Sequence, residues 1–248
     1  DTGTNLVLSA IHSGDEIPLR MAPLIFISTL ITHLFGGSAG REGAALQFGA
    51  SLGNWLGRKI HLNESDKRIM TLAGMSAAFA ALFGTPMAAA VFPMEVISVG
   101  IMYYAALVPC VFSAFIGERI SIFMGVRTLT APYPVEEVPN FYGIAWGKAI
   151  LLAICFAFAG ALFCVMLHIF EKQLKKWFQN PYLQVFVGGV TVVLLWKITG
   201  TDTYLGLGGG TIAQSFAEPQ KLWVFLLKIL FTCITLCSGF KGGEIVPS

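Results

Sequence analysis

The sequence predicts an all-helical membrane protein with broken helices and a repeated half, and three observations support this. Hydrophobic residues make up 55% of the 248 residues and charged residues only 12%, roughly half the charged share of a soluble domain. The mean hydropathy is +0.72. A glycine-flanked glutamate occurs near both ends of the chain, each time after a long apolar run. Intramembrane acids on matching glycine breaks are typical of an ion pathway built from repeats.

Six apolar runs alternate with polar connectors along the chain. A full membrane crossing needs about 20 residues, and several of these runs are shorter or contain glycine or proline. Short, interrupted hydrophobic segments are typical of discontinuous helices that line a transport site. The runs cover about 21–36, 69–92, 99–124, 143–170, 182–199 and 222–239.

The connectors indicate how the chain is organised. A charged loop covers residues 58–68, and Ser65 in it is predicted to cap the next helix. The proline-rich segment 130–141 is predicted to join a first half-repeat, about 1–129, to a second, about 142–248, within one transmembrane domain. We expect the chain to be a fragment lacking both ends, since it opens at Asp1 without a methionine and stops at Ser248.

The first glycine motif, Gly37 to Gly43, predicts an anion site. A helix is expected from Glu42 to Leu56, and it contains small or polar residues such as Gln47. Helix N-termini present unpaired N–H groups and a partial positive charge, which attract anions. Glu42 would lie at this terminus and occupy the anion's place, or swing out when protonated, so that it acts as gate and proton carrier. The alternative is that Glu42 merely caps its own helix.

The second motif, Gly239 to Glu244, predicts a similar helix start after a glycine break. Its glycines are expected to end a helix near Cys237, and Glu244 to begin another with Pro247 in the first turn. Arg41 and Lys241 occupy similar offsets in the two motifs. Their side chains either form ion pairs with the two carboxylates or face the membrane surface.

Two further segments carry polar groups into apolar surroundings. Thr4 and Asn5 follow Gly3, and hydroxyl and amide groups at such a helix break can coordinate a dehydrated anion. The glycine-rich segment 206–212 is a possible counterpart in the second half. Glu95 is a third intramembrane acid, and we interpret it as a structural hydrogen-bonding residue rather than an ion ligand, because no glycine break accompanies it.

Composition also argues against other classes of site. The five cysteines and four histidines show no metal-ligand spacing, so neither a metal nor another cofactor is expected. The net charge of +2, without a block of lysine and arginine, argues against nucleic-acid binding.

Taken together, these motifs resemble the CLC family of voltage-gated chloride channels and anion/proton antiporters. Gly40 to Gly43 matches the gating-glutamate motif of that family, and residues 73–86 resemble the helix pair that follows it. Residues 242–247 stand where the family has its Gly-x-Phe-x-Pro anion-filter motif. The resemblance implies inverted repeats with discontinuous helices, a homodimer with one pore per subunit, and a place in the cell membrane as a multi-pass protein.

Within the family the sequence is most similar to the fluoride-selective branch. The similarity lies in residues 33–43 and 239–244, above all in Glu244, an acid where chloride-type members carry an apolar residue. Val96 stands where chloride/proton antiporters have a glutamate for inward proton transfer. Three positions depart from the family pattern: Ala44, Val246 and the Thr4-Asn5 pair.

The resemblance implies fluoride/proton antiport for fluoride export, with halide, protons and the lipid bilayer as partners. Its implied gating and proton-transfer residues are Glu42 and Glu244, and its implied anion-binding residues are Thr4, Asn5, Gly40, Arg41, Gly43, Gly243, Ile245 and Val246. An alternative is a chloride channel or chloride/proton antiporter of the same family. A remote alternative is a membrane enzyme with Glu42 and Glu244 as a catalytic pair, which no nucleophile or metal-ligand cluster supports, so we expect no enzyme.

Overall fold

The computed structural model of the protein describes residues 3–97, 102–126, 143–221 and 223–243. Within these ranges the chain forms ten α-helices and two short 3₁₀ turns, the latter at Tyr104–Ala106 and Asp202–Tyr204. The α-helices are α1 Thr4–Ser13, α2 Met21–Leu34, α3 Glu42–Lys59, α4 Glu64–Phe83, α5 Pro86–Ile97, α6 Leu107–Phe123, α7 Ile144–Trp177, α8 Pro181–Thr199, α9 Gly209–Ala217 and α10 Trp223–Cys237.

The helices differ in length as the apolar runs predict. Among the described residues, three helical stretches are long and apolar enough to cross a membrane: Tyr104–Phe123, α7 and α8. Other helices are apolar but shorter than a crossing, among them α2, α5 and α10. This mixture of spanning and short helices confirms the predicted fold class, an all-helical membrane protein with discontinuous helices.

The connector before α4 corrects one prediction. Ser65 does not cap this helix, because α4 already begins at Glu64 after Asn63. The Asn63 side chain accepts a hydrogen bond from the Asp66 amide at 2.8 Å, which satisfies one of the free amides of the first turn. Ser65 instead shares a 3.1 Å hydrogen bond with the hydroxyl of Tyr103.

The chain divides into two compact units. The first comprises the described residues of 1–31, 41–131 and 241–243, and the second those of 32–40 and 132–240. Residue 244 and those after it lie outside the described residues. The division into half-repeats at about 1–129 and 142–248 stays a prediction.

In the first unit α4 is the central helix, and it packs against α3, α5 and α6. Small residues bring α3 and α4 unusually close. A Cβ atom added to Gly74 would clash with the Gly49 carbonyl oxygen, and one added to Gly49 with that of Gly74. Close backbone approach at small residues is how membrane helices gain packing energy without a hydrophobic driving force. A cluster of buried apolar side chains, which includes Leu72, Met75 and Met94, completes the core.

In the second unit α7 and α8 pack on α10. Phe231 of α10 is fully buried against Val192 of α8 and Tyr204, and Phe163 of α7 packs with Ile229 and Cys233 of α10. Most other side chains of α7 and α8 are apolar and exposed within the unit. A helix that is apolar all round suits a membrane environment.

The contact between α3 and α4 leads to a stability prediction. Gly74→Ala should lower the free energy of unfolding by about 1–3 kcal/mol, because the new methyl group overpacks against the Gly49 backbone. Thermal unfolding in detergent measures the effect. Gly147→Ala on α7 is the matched control, since no described atom lies within 4 Å of its added Cβ. Equal stability of the two variants would contradict the close packing of α3 on α4.

Candidate anion site

Glu42 is the first residue of α3 and is fully buried in the first unit. Neither of its carboxylate oxygens has a hydrogen-bond partner among the described residues. The N-cap position belongs to Arg41, whose side chain makes no capping hydrogen bond. Glu42 therefore does not cap its own helix, contrary to the alternative considered above, and among the described residues no side chain caps the first turn of α3. Such a turn offers backbone N–H groups to an anion.

Gly243 of the second glycine motif lies against the start of α3. A Cβ atom added to Gly243 would clash with Oε2 of Glu42 and lie 2.9 Å from the Glu42 amide nitrogen. It would also lie 3.0 Å from the amide nitrogen of Gly43. Gly243 thus packs directly on the start of α3, where any larger residue would displace the acid.

The start of α1 forms a third side of this site. A Cβ atom added to Gly43 would lie 3.4 Å from the Thr4 hydroxyl oxygen and 3.5 Å from the Gly243 Cα atom. Thr4 begins α1 and is half-buried, and its hydroxyl accepts a hydrogen bond from Gln47 Nε2 at 3.1 Å. The first turns of α1 and α3 and the glycine segment 242–243 therefore converge around Glu42.

The remaining predicted site residues fall into two groups. Gly40 is buried, whereas the side chains of Asn5 and Arg41 are exposed, as is that of Lys241. Their anion-binding roles stay predictions, as do those of Thr4, Gly43 and Gly243. The other predicted residues, Glu244, Ile245 and Val246, lie outside the described residues.

Glu95 differs from Glu42 in its surroundings. Its side chain lies exposed on α5, and it makes no hydrogen bond to another described residue. Its interpretation as a structural hydrogen-bonding residue therefore stays a prediction. The contrast in burial makes Glu42 the intramembrane acid of interest among the described residues.

The glycine-rich segment 206–212 is held by Lys228, a residue that sequence reasoning missed. Gly208 is the N-cap of α9 with a φ of +85°, and Lys228 of α10 lies against it. Lys228 Nζ donates hydrogen bonds to the carbonyl oxygens of Tyr204, at 3.2 Å, and Gly206, at 2.7 Å. The ammonium group therefore fixes the turn that leads into α9. A cation within the apolar run 222–239 was the signal that could have revealed it.

The segment before the first motif is tied to α10 within the second unit. The Ser38 amide donates to the Thr235 hydroxyl oxygen at 3.2 Å, and the Ser38 and Thr232 hydroxyl oxygens lie 2.9 Å apart. Both threonines use their own protons on carbonyl oxygens four residues earlier. Ser38 must therefore donate to Thr232, and two hydrogen bonds fix Ser38 on α10.

Within the described ranges, no group of three or more histidine, cysteine, aspartate or glutamate side chains could hold a metal ion.

Comparison with known proteins now identifies the family. The family model described as voltage gated chloride channel, the CLC family, matches residues 1–248. The chain belongs to this family. As a CLC protein it is a multi-pass integral membrane protein, which agrees with its spanning helices.

Individual relatives agree with the resemblance to the fluoride branch. The chain is 38% identical to a chloride/fluoride channel protein of Pseudomonas syringae pv. tomato, covering 100% of this chain and 56% of the relative. It is 26% identical to an H(+)/Cl(−) exchange transporter ClcA of Cronobacter sakazakii, covering 92% of this chain and 50% of that protein. The chain thus spans about half the length of these relatives.

A solved structure is similar along nearly the whole chain. The crystal structure of a CLC-type fluoride/proton antiporter matches with a TM-score of 0.92 and 35% sequence identity. The match covers 99% of this chain and 62% of that one. The predicted resemblance to the CLC family and its fluoride branch is confirmed.

The Ser38 contacts lead to a second stability prediction. Ser38→Ala should lower the free energy of unfolding by about 0.5–1.5 kcal/mol, the worth of one buried hydrogen bond. The double variant Ser38→Ala/Thr232→Val should cost less than the sum of its single changes, because the two hydroxyls share that bond. Chemical unfolding in detergent measures both. Ser215→Ala, which removes only an exposed bond within α9, serves as control; additive costs would refute the shared bond.

Proposed function

We propose that this chain forms the halide pathway of a CLC antiporter that exports fluoride in exchange for protons. One observation carries the proposal: Glu42 is fully buried, without a described hydrogen-bond partner, at the uncapped first turn of α3. An acid in this position competes with an anion for the same amide groups. Family membership and the relatives named for fluoride and chloride transport support this use of the site.

Glu42 couples the two ions through its charge. When ionised, its carboxylate occupies the place of a halide beside the N-terminus of α3, and the helix dipole favours it there. When protonated, it loses that advantage, and a halide takes its place. Each exchange of halide for carboxylate is then linked to a proton taken up or released. Glycine at position 243 keeps these amides free of a side chain, because a Cβ atom there would clash with the Glu42 carboxylate.

The preference for fluoride follows from the donors that the site would offer. Fluoride holds its water tightly, so a fluoride site needs strong hydrogen-bond donors to replace hydration. We propose that the donors to fluoride are the amides of Glu42 and Gly43, the Thr4 hydroxyl and a protonated Glu244. A carboxylic acid at position 244 donates a hydrogen bond that an apolar residue does not. Similarity to a chloride/fluoride channel protein and to a CLC-type fluoride/proton antiporter supports the preference for fluoride.

The proposal includes the assembly that the family resemblance implies. Two copies form a homodimer in the bilayer, and each copy carries its own pathway. Halves of about 1–129 and 142–248 act as inverted repeats, whose broken helices face the ion at mid-membrane. The protein acts on halide and protons and catalyses no chemical conversion.

Chloride transport by the same site is the second candidate. It is favoured by the similarity to proteins named as H(+)/Cl(−) exchange transporters, at 26% identity. Ion efflux from liposomes, followed with fluoride- and chloride-selective electrodes, separates the two. A preference for chloride would overturn the fluoride assignment and leave the gating role of Glu42 standing.

Glu42→Gln tests the gate directly. Glutamine has the shape of a protonated glutamate but carries no exchangeable charge, so fluoride flux should continue while coupled proton flux falls about a hundredfold or more. Fluoride and proton fluxes are measured together in liposomes. Glu95→Gln is the control, because Glu95 is an exposed acid on α5, and it should leave the coupling ratio unchanged. Coupled transport by the Glu42→Gln protein would contradict the proposal.

Glu244→Gln tests the second acid. We expect the fluoride-to-chloride preference and the coupled proton flux to fall by about tenfold or more, since an acid that donates through O–H and exchanges its proton is replaced by an amide that does not titrate. The same liposome assay, run with each halide in turn, measures both. Unchanged proton-coupled fluoride flux would remove Glu244 from the mechanism.

A further inference from the structure

Gln47 is a buried amide in the helix that carries the gate. It lies on α3 after Glu42, is only 5% exposed, and is surrounded along the helix by small residues such as Gly43 and Ala50. Its Nε2 atom donates to the Thr4 hydroxyl oxygen at 3.1 Å, across 43 residues of sequence. Burying a side-chain amide is costly unless it is hydrogen-bonded, so this contact defines the position of the Gln47 side chain.

The Thr4 hydroxyl differs from those of four other helical threonines among the described residues. Thr71, Thr191, Thr232 and Thr235 each donate their proton to the carbonyl oxygen four residues earlier. Thr4 begins α1, directly after its N-cap residue, so no preceding helical turn offers such a carbonyl. Among the described residues no acceptor takes the Thr4 proton.

A hydroxyl group has one proton and two lone pairs. The N–H group of Gln47 uses one of the lone pairs, and this leaves the proton as the group's remaining strong contact. The Thr4 oxygen lies 3.4 Å from the position of a Cβ atom added to Gly43. The hydroxyl is therefore beside the first turn of α3, where the amides of Glu42 and Gly43 lie against Gly243.

We propose that Gln47 is a positioning residue for anion selectivity, which holds the Thr4 hydroxyl as a dedicated hydrogen-bond donor to the anion. This inference rests on the proposed halide transport. The amide donor both orients the hydroxyl and polarises it, because hydrogen bonds in a chain strengthen one another. A donor that is fixed before the anion arrives stabilises it without a cost of reorganisation. Fluoride, as the strongest acceptor among halides, gains most.

The chemistry at position 47 determines the direction of the Thr4 proton. An ionised glutamate is an acceptor only, so Gln47→Glu would draw the proton away from the anion and add a negative charge. Methionine is unbranched and of similar length, so Gln47→Met fills the space but leaves the hydroxyl unoriented. These two changes therefore separate loss of orientation from reversal of orientation.

The experiment is a double-mutant cycle of Gln47→Met and Thr4→Val, read by the halide concentration dependence of transport in liposomes. Gln47→Met should raise the KM for fluoride about three- to tenfold, and Thr4→Val about tenfold or more. The double variant should have the KM of Thr4→Val alone, because Gln47 acts through that hydroxyl. The kcat and the proton coupling ratio should change less than about twofold in Gln47→Met, since Glu42 is untouched.

The ratio of the KM values for fluoride and chloride is a second measure of the role of Gln47. The KM for chloride, a weaker acceptor, should rise less than that for fluoride in Gln47→Met, so the preference for fluoride falls. Gln47→Glu should raise the KM for fluoride more than Gln47→Met does. Ser51→Ala is the matched control on the same helix, because Ser51 donates to the Pro18 carbonyl oxygen away from Thr4. It should leave both KM values unchanged.

Three results would overturn the proposal. A lower fluoride KM in Gln47→Met would mean that Thr4 gives its proton to Gln47. Additive effects of the two changes would mean that they act separately, and an equal effect of Ser51→Ala would assign the loss to general packing of α3. If the wild-type protein prefers chloride, the proposed function fails, yet the same cycle read with chloride still decides whether Gln47 acts through Thr4.

Discussion

The burial of Glu42 at the first turn of α3 is the constraint on which the site depends. A carboxylate without a protein partner is costly in a dry environment, and here the free amides of a helix start partly offset that cost. The space beside those amides must also stay small and adaptable. Gly243 meets this need because a Cβ atom at this position would clash with the Glu42 carboxylate. Glycine at position 243 of the second motif is thus required for steric reasons.

The residues before and after the Gly40–Arg41 bond belong to different compact units, and each group is fixed within its own unit. Ser38 is bonded to Thr232 and Thr235 of α10, in the second unit, whereas Glu42 belongs to the first. The chain passes from one unit to the other between Gly40 and Arg41. Within the second unit hydroxyl groups fix Ser38, and within the first unit the packing of α3 on α4 fixes the helix that carries Glu42. Neither anchor uses a charged side chain.

Features encoded locally could be predicted from the sequence. The start of α3 at Glu42 and the end of α10 at Cys237 were predicted correctly from glycine breaks in apolar runs. The contact of Gln47 with Thr4 was not foreseen, since no local pattern links residues far apart in the chain. The wrong cap at Ser65 shows the same limit, because asparagine and serine are both good caps and only the structure reveals the choice of Asn63.

The length of α7 has a consequence for how the protein sits in its bilayer. With a rise of about 1.5 Å per residue, its 34 residues extend roughly 50 Å, well beyond a hydrocarbon layer of about 30 Å. Its charged last turns, with Glu171 and Lys175 paired, suit the headgroup region, and the apolar remainder is still longer than the layer is thick. Such a helix must lean or thicken the surrounding lipid, and either response couples the second unit to membrane thickness.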